Sequence, residues 1–356
     1  MQITRQSKTQ RCCRPYSINS MKRLLIVIAI VYLFFILSMM MHYYNGSKKN
    51  SLGVRRRYTE KTMPPQTSSV DSAGFIHIGK TGGSIISTLL RNGCSSFNSG
   101  PCRNVTHETA VSKLVEHYYH VADFHRLPDT KHKIFIISIR DPFDRTVSAL
   151  LYTHPKNAAV YKLKQTKRQK HFGGKAYRCF PTLEAFAQLM NGTSTECNYP
   201  YEQSQLVNTD CSALACAAIH GKARFYNHLF FNYRNILETK LPTTPPRQLY
   251  VLRKEFLWSD WKDLNVIFGQ KDPVIIPTAD ASESRNISGF VLPVTRDISL
   301  EGRQKLCLAL QSEYMAYFKI IKRAINLNTA DVNQMIQIAK QNCANLDISA
   351  MMMHAT

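Results

Sequence analysis

Two stretches of the chain carry residue types and spacings suited to binding phosphate. The first, 75–90, reads FIHIGKTGGSIISTLL. An apolar run ends, a glycine-containing turn follows, and a helical pattern begins. A helix that opens there directs its free N–H groups and the positive end of its dipole at any anion in front of it. Gly82 and Gly83 allow close approach of the backbone, Lys80 adds a point charge, and Thr81 and Ser84 add hydroxyl donors. The second stretch, 133–151, reads KIFIISIRDPFDRTVSALL. Arg140 emerges at the end of a β-branched apolar run, and Ser148 lies in the helix that follows. The two can converge on a second phosphate, distinct from the one at Lys80. Arg145 shares a helix face with Ser148 by its i, i+3 spacing. Two separate phosphate seats suit a 3′,5′-bisphosphorylated adenosine better than ATP.

The first stretch also spells a different motif. Residues 74–81 match G-x4-G-K-T, the phosphate loop of ATPases and GTPases. Its four variable positions are Phe-Ile-His-Ile, which read as strand rather than loop. A nucleoside triphosphatase further needs an acid for magnesium at the end of another apolar strand. Asp141 stands nominally there, but Pro142 follows it, and the pair reads as the N-cap and first residue of a helix. A P-loop triphosphatase or kinase is therefore the alternative reading.

The segments H-I-G-K-T-G-G-S and I-R-D-P-F-D-R-T-V-S-A together resemble the donor-binding motifs of Golgi carbohydrate sulfotransferases, especially the heparan sulfate 2-O- and 6-O-sulfotransferase type. The resemblance spans both motifs and is looser through 251–261 (VLRKEFLWSDW) and 310–317. Gly79 departs from the pattern, since several members carry another residue such as proline there. The resemblance implies 3′-phosphoadenosine 5′-phosphosulfate (PAPS) as co-substrate with no metal. Lys80, Thr81, Gly82, Gly83 and Ser84 would hold the 5′-phosphosulfate, and Arg140 and Ser148 the 3′-phosphate. It also implies a sulfotransferase fold and a Golgi membrane protein with a lumenal catalytic domain. Lys80 would stabilise charge growing on the leaving group, and a general base would take the acceptor proton. His120, in His-Val-Ala-Asp-Phe, fits the family's base best; His117, His125, Glu108 and Glu116 remain open. Tyr118 stands where the 2-O-type enzymes carry a second histidine.

Charge points to an anionic partner. The chain holds 46 Lys and Arg against 24 Asp and Glu, a formal net charge of +22. Between 156 and 178 there are eight Lys or Arg and no acid. Lys167, Arg168 and Lys170, with Arg145, are candidates for an anionic glycan groove; a solvated loop is the plainer reading. Nucleic acid is disfavoured because the anchor would keep this region in the lumen and the basic stretch lacks interleaved aromatics. A non-catalytic glycan-binding protein of the same fold is a further alternative.

The elements that must position these residues follow from the pattern. Strands are expected over 74–79, 133–139 and 248–252, and helices over 84–92, 113–119, 258–268, 300–326 and 330–342. Strands each followed by a helix predict an α/β domain, a P-loop-like central parallel sheet flanked by helices. Before it, 24–41 holds eighteen residues without charge, long enough to cross a bilayer. An uncleaved anchor over 21–44 is expected rather than a signal peptide, because no small-x-small cleavage site follows. The organisation is then a cytosolic tail at 1–20, the transmembrane anchor, a polar stem at 45–72 and a lumenal domain at 73–356, a single-pass type II arrangement. Sequons at Asn104, Asn191 and Asn286 suit lumenal glycosylation. Eight cysteines follow the anchor, and Cys94–Cys102 and Cys307–Cys343 are pairings their positions allow, with buried free thiols the alternative. No Cys/His cluster suggests a metal site.

Overall fold

The computed structural model describes residues 72–90, 108–119, 127, 131–160, 177–190, 210–222, 227–239, 241, 247–275 and 294–355. The expected tail, anchor and stem lie outside these residues, as do the sequon asparagines and the basic stretch at 161–176. Among the described residues no helix is long and apolar enough to cross a membrane.

The described part is an α/β fold within the compact unit Thr67–Thr356. Its sheet has four strands: β1 (Ala73–Ile76), β2 (Val115–Tyr119), β3 (Ile134–Ile139) and β4 (Gln248–Arg253). They lie in the order β2-β1-β3-β4, and every pair is parallel. Side chains alternate across a strand, so each central strand feeds two cores. On one face Phe75, Ile136, Tyr250 and Leu252 pack against α1 (Gly83–Leu90), α2 (Ala110–Leu114) and, through Trp261 and Leu264, the later helix at 257–267. On the other, Ile76, Phe135, Ile137, Ile139, Leu249 and Val251 meet a larger set of helices. Burial on both faces explains why 134–139 is almost unbroken Ile and Phe, as parallel sheets require.

The second face is covered chiefly by α3 (Pro142–Thr153), which α4 (Pro155–Val160) follows, then by α5 (Leu183–Gln188), α6 (Cys211–Ile219), α7 (Asn227–Phe230) and α8 (Tyr233–Thr239). After β4 come α9 (Leu257–Ile267), α10 (Leu300–Ala309), α11 (Gln311–Arg323), α12 (Thr329–Asn342) and α13 (Ile348–His354). The exposed side of β4 is closed by residues 324–326. The Ile325 N–H donates to the Leu249 carbonyl, and the Asn326 amide both accepts from the Val251 N–H and donates to its carbonyl. That cover satisfies an edge otherwise open to pairing.

Two expected helices are corrected. Residues 113–119 are helical only to Leu114; Val115–Tyr119 is strand β2. Its aromatic and β-branched residues suit a strand and find a parallel partner in β1. The span 300–326 is not one helix. It breaks at Leu310, whose N–H bonds the carbonyls of Leu306 and Cys307 as α10 closes, and whose carbonyl begins α11. The capping of α3 is as expected: Pro142 is its first residue and the Asp141 carboxylate accepts the Asp144 N–H.

Disulfides join Cys307 to Cys343 and Cys179 to Cys211. The first ties α10 to the end of α12, the pairing the sequence allowed; the second was not expected. Cys94 and Cys102 lie outside the described residues.

A buried ion pair links three helices on the larger face. Arg145 of α3 and Glu313 of α11 meet at 3.3 Å, with side chains 1% and 2% exposed. Glu313 Oε2 also accepts the Tyr233 N–H at 3.1 Å and Oε1 the Arg234 N–H at 3.0 Å, so the carboxylate caps the first turn of α8. Removing one partner strands the other charge in the core. Glu313→Ala should cost about 3–5 kcal/mol in urea unfolding. Glu313→Gln, which keeps a carbonyl for the helix N–H groups, should cost less; equal stability of wild type and Glu313→Ala would refute this account.

Candidate functional site

In a parallel sheet, ligands bind beyond the carboxyl ends of the strands, where the strand order reverses. Here the chain passes from β1 outward to β2 and returns across β1 to β3, so the reversal lies between β1 and β3. Both phosphate-binding candidates leave the sheet at that place. The Lys80 loop follows β1, and Arg140 is the first residue after β3.

The loop is shaped by its own backbone. Lys80 has φ 71°, the only positive φ of a non-glycine residue among the described residues, and Gly82 has φ 87°. A left-handed lysine is a strained conformation of the kind that collects at functional sites. Its ammonium rests over the Tyr152 ring of α3, 3.6 Å from the ring centre. The Gly82 carbonyl accepts from the N–H groups of Ile85 and Ile86, starting α1. The N–H groups of Gly83 and Ser84 come before that first bond and, as at the start of any helix, have no carbonyl within the helix to bond.

Two loop residues act differently from expectation. The Thr81 side chain is fully buried: its hydroxyl donates to the Ile78 carbonyl at 2.7 Å and lies 2.6 Å from Ser138 Oγ on β3. It braces the loop against β3 and offers no hydroxyl to an anion. At Gly83, a Cβ would overlap the imidazole of His77. That ring is buried beneath the loop, its Nδ1 2.7 Å from the Tyr118 hydroxyl, which also bonds the Gly83 carbonyl at 3.2 Å. The second glycine therefore makes room for a histidine below as well as opening the loop above. Tyr118 supports that loop from β2.

The backbone of Arg140 is clamped by one side chain. The Tyr233 hydroxyl accepts the Arg140 N–H at 2.8 Å and donates to its carbonyl at 2.7 Å. The Tyr233 ring is fully buried, and burial holds its hydroxyl in the neutral form that can do both. The Arg140 guanidinium, half-buried at the sheet edge, lies 3.9 Å from Asp144. Ser148 is half-buried on α3. Arg145 is corrected: it lies in the interior with Glu313 and donates to the His228 carbonyl at 2.7 Å, and it is not placed to meet a glycan. Lys167, Arg168 and Lys170 lie outside the described residues. So does His120, although β2 ends at Tyr119, the residue before it, and the Tyr119 carbonyl accepts the His77 N–H at this same edge. Of the other bases considered, His117 and Glu116 are exposed on β2, and Glu108 is exposed and paired with Lys113. His125 lies outside the described residues.

Asp141, the nominal magnesium ligand of the triphosphatase reading, points inward. Its carboxylate accepts from the Tyr314 hydroxyl at 3.0 Å, the Asn342 amide at 2.9 Å and the Asp144 N–H at 3.2 Å. Burial pushes its pKa up to about 7. Among the described residues no group of three or more His, Cys, Asp and Glu could hold a metal ion.

No known family model, curated protein or solved structure matches this chain. The site must be read from its own geometry.

Sequence reasoning did not find Lys254. It is the first residue after β4, half-buried, and its stem lies against the loop: a Cβ at Gly82 would sit 2.7 Å from Lys254 Cδ. The charged triplet Arg253-Lys254-Glu255 directly after an apolar strand was the available signal.

Two outcomes follow from this packing. Gly83→Ala should destabilise the fold, and His77→Ala should relieve much of the loss by vacating the space. Thermal melts of the single and double variants check this, and strictly additive effects would refute the contact. Asp141 releases its proton near pH 3.8 when unfolded and only near 7 when folded. Between those values the folded state holds a proton that the unfolded state has lost, so this group makes stability fall as pH rises, with no further change above about 7. Asp141→Asn should flatten the pH dependence of urea unfolding in that window by up to about one proton. Identical slopes in wild type and variant would refute the assignment.

Proposed function

We propose that the chain is a PAPS-dependent carbohydrate O-sulfotransferase, anchored in the Golgi membrane with its catalytic domain in the lumen and built on the sulfotransferase variant of the P-loop-like sheet. The observation that carries this reading is the pair of cationic features at the reversal point. The Lys80 loop and Arg140 leave adjacent parallel strands, β1 and β3, at their carboxyl ends. Strands lie about 4.8 Å apart, so a nucleotide lying across them can reach both with different phosphates.

The roles follow. The α1 N-terminus, the Gly82–Gly83 backbone and Lys80 receive the 5′-phosphosulfate. Arg140 and Ser148 receive the 3′-phosphate. A glycan hydroxyl oxygen forms a bond to sulfur in line as the sulfur–oxygen bond to the phosphate breaks. His120 takes the hydroxyl proton, and Lys80 stabilises the charge on the departing phosphate oxygen. The excess of basic residues suits an anionic glycan acceptor. The triphosphatase alternative is weakened by Asp141, whose carboxylate is directed at Tyr314 and Asn342 inside the fold rather than at an open site.

Labelled-PAPS transfer across a glycan panel, followed by disaccharide analysis, tests the reading. The wild type should transfer label to at least one anionic glycan. Lys80→Ala should lower kcat by roughly 100-fold or more, and His120→Ala by about 100- to 10,000-fold, with both variants melting as the wild type does. A fully active His120→Ala removes the base assignment. Magnesium-dependent ATP hydrolysis in place of transfer would establish the triphosphatase instead, and PAPS binding without transfer to any glycan would favour a non-catalytic binding protein.

A further inference from the structure

The helix that follows Arg140 has one open stripe. From Pro142 to Tyr152 every residue is buried except Asp144, Ser148 and Tyr152. They stand four apart, so they line one face of α3 and span about 12 Å of helix. The two cations of the site meet this stripe at opposite ends. The Arg140 guanidinium lies 3.9 Å from Asp144, the Lys80 ammonium lies 3.6 Å from the centre of the Tyr152 ring, and Ser148 comes between. Tyr152 is held from a second side as well. The His228 ring of α7 stands 5.4 Å from it and packs so closely on Gly79 that a Cβ there would meet its Cδ2 at 2.5 Å. The His228 carbonyl in turn accepts from buried Arg145.

The kind of contact matters. A carboxylate in the place of Tyr152 would neutralise Lys80 and repel an incoming phosphosulfate. A ring face attracts the ammonium through its quadrupole, carries no net charge, and leaves the field of the cation for a ligand. It also holds Lys80 away from the acid on the stripe, Asp144, where Arg296 at 2.8 Å and Arg140 at 3.9 Å already gather. We propose that Tyr152 is the positioning residue of Lys80. It fixes the ammonium at the far end of the α3 stripe from the Arg140 seat, so that Lys80 meets the bridging oxygen of the donor as the sulfur–oxygen bond breaks. This inference rests on the donor reading above and adds to it the residue through which Lys80 is aimed.

The test is labelled-PAPS transfer by the full chain in detergent, to the glycan that the wild type sulfates, with titration calorimetry of adenosine 3′,5′-bisphosphate alongside. Tyr152→Leu keeps an apolar side chain and removes the ring. It should lower kcat roughly tenfold or more, while the KM for PAPS and the Kd for the bisphosphate change less than about threefold. Tyr152→Phe keeps the ring face without the hydroxyl and should recover most of kcat. In Lys80→Ala, adding Tyr152→Leu should cost nothing further, whereas a loss caused by disturbed packing would persist there. Wild-type transfer with kcat unchanged in Tyr152→Leu overturns the proposal and leaves the donor reading intact. So does an undiminished loss in the Lys80→Ala background, which makes Tyr152 a packing residue. A loss of bisphosphate affinity of about tenfold overturns it too, placing the ring against the nucleotide itself. Failure of the wild type to transfer label to any glycan removes the enzyme reading and this inference together.

Discussion

The Glu313 carboxylate is the constraint on which the placement of Arg140 depends. One oxygen meets the Arg145 guanidinium and the Tyr233 N–H, and the other meets the Arg234 N–H. It therefore fixes the start of α8, and with it the ring of Tyr233. That ring carries the hydroxyl that clamps both backbone groups of Arg140, and the Arg145 guanidinium lies 5.1 Å from its centre. A buried carboxylate with three donors is well satisfied, whereas one with a donor missing is costly, so the arrangement is held nearly all-or-none. The result is a sheet-edge arginine whose backbone is fixed from beneath while its side chain stays half-buried at the edge.

The loop after β1 shows the same division between support and contact. Thr81 and His77 face inward, toward Ser138 and Tyr118, and anchor the turn to the strands on either side. Lys80 and Gly82 take the left-handed conformations that turn the chain from strand to helix. A motif of the form G-K-T-G-G-S thus mixes residues that hold the loop with residues that can meet a ligand. Spacing alone does not separate them. Thr81 and Gly83 look like donors and clearances for an anion in one dimension; in three, both answer at least partly to what lies beneath.

Much of the fold was legible because its signals are local. The run Ile134–Ile139 has no polar face and could only be a strand covered on both sides, and Asp141-Pro142 announces a helix start through its own cap. The sequence misled where a distant partner decides. Val115–Tyr119 becomes strand because β1 offers it an edge, which no window of residues around it contains. Leu310 breaks a pattern that remains helical in periodicity on both sides. At the site, Arg140 and Lys80 were visible as cations following apolar strands. The interior fate of Arg145 was not, because it is set by Glu313, 168 residues away along the chain. Lys254 was missed for a related reason: its approach to the Gly82 turn and the field of Arg140 upon it are set across the sheet.

That last point bears on how a basic protein sorts its charges. Arg145 and Arg253 are both buried, and each has a carboxylate within 3.3 Å. Arg140 and Lys254 lie at the carboxyl edge of the sheet; Asp144, 3.9 Å from Arg140, is shared with Arg296, and Glu255 attracts both Arg140 and Lys254 without forming an ion pair with either. The contrast is sharpest between neighbours, since Arg253 and Lys254 are adjacent and the alternation of the strand sends one inward to two aspartates and the other outward to the loop. Neutralising a buried guanidinium removes the cost of its desolvation and lets it organise helices. Leaving a partly buried cation unneutralised destabilises the empty site slightly and strengthens whatever anion enters it, because the attraction acts where water is scarce. How closely a counter-charge is held therefore separates the guanidinium groups that build this fold from the cations at the carboxyl edge of the sheet.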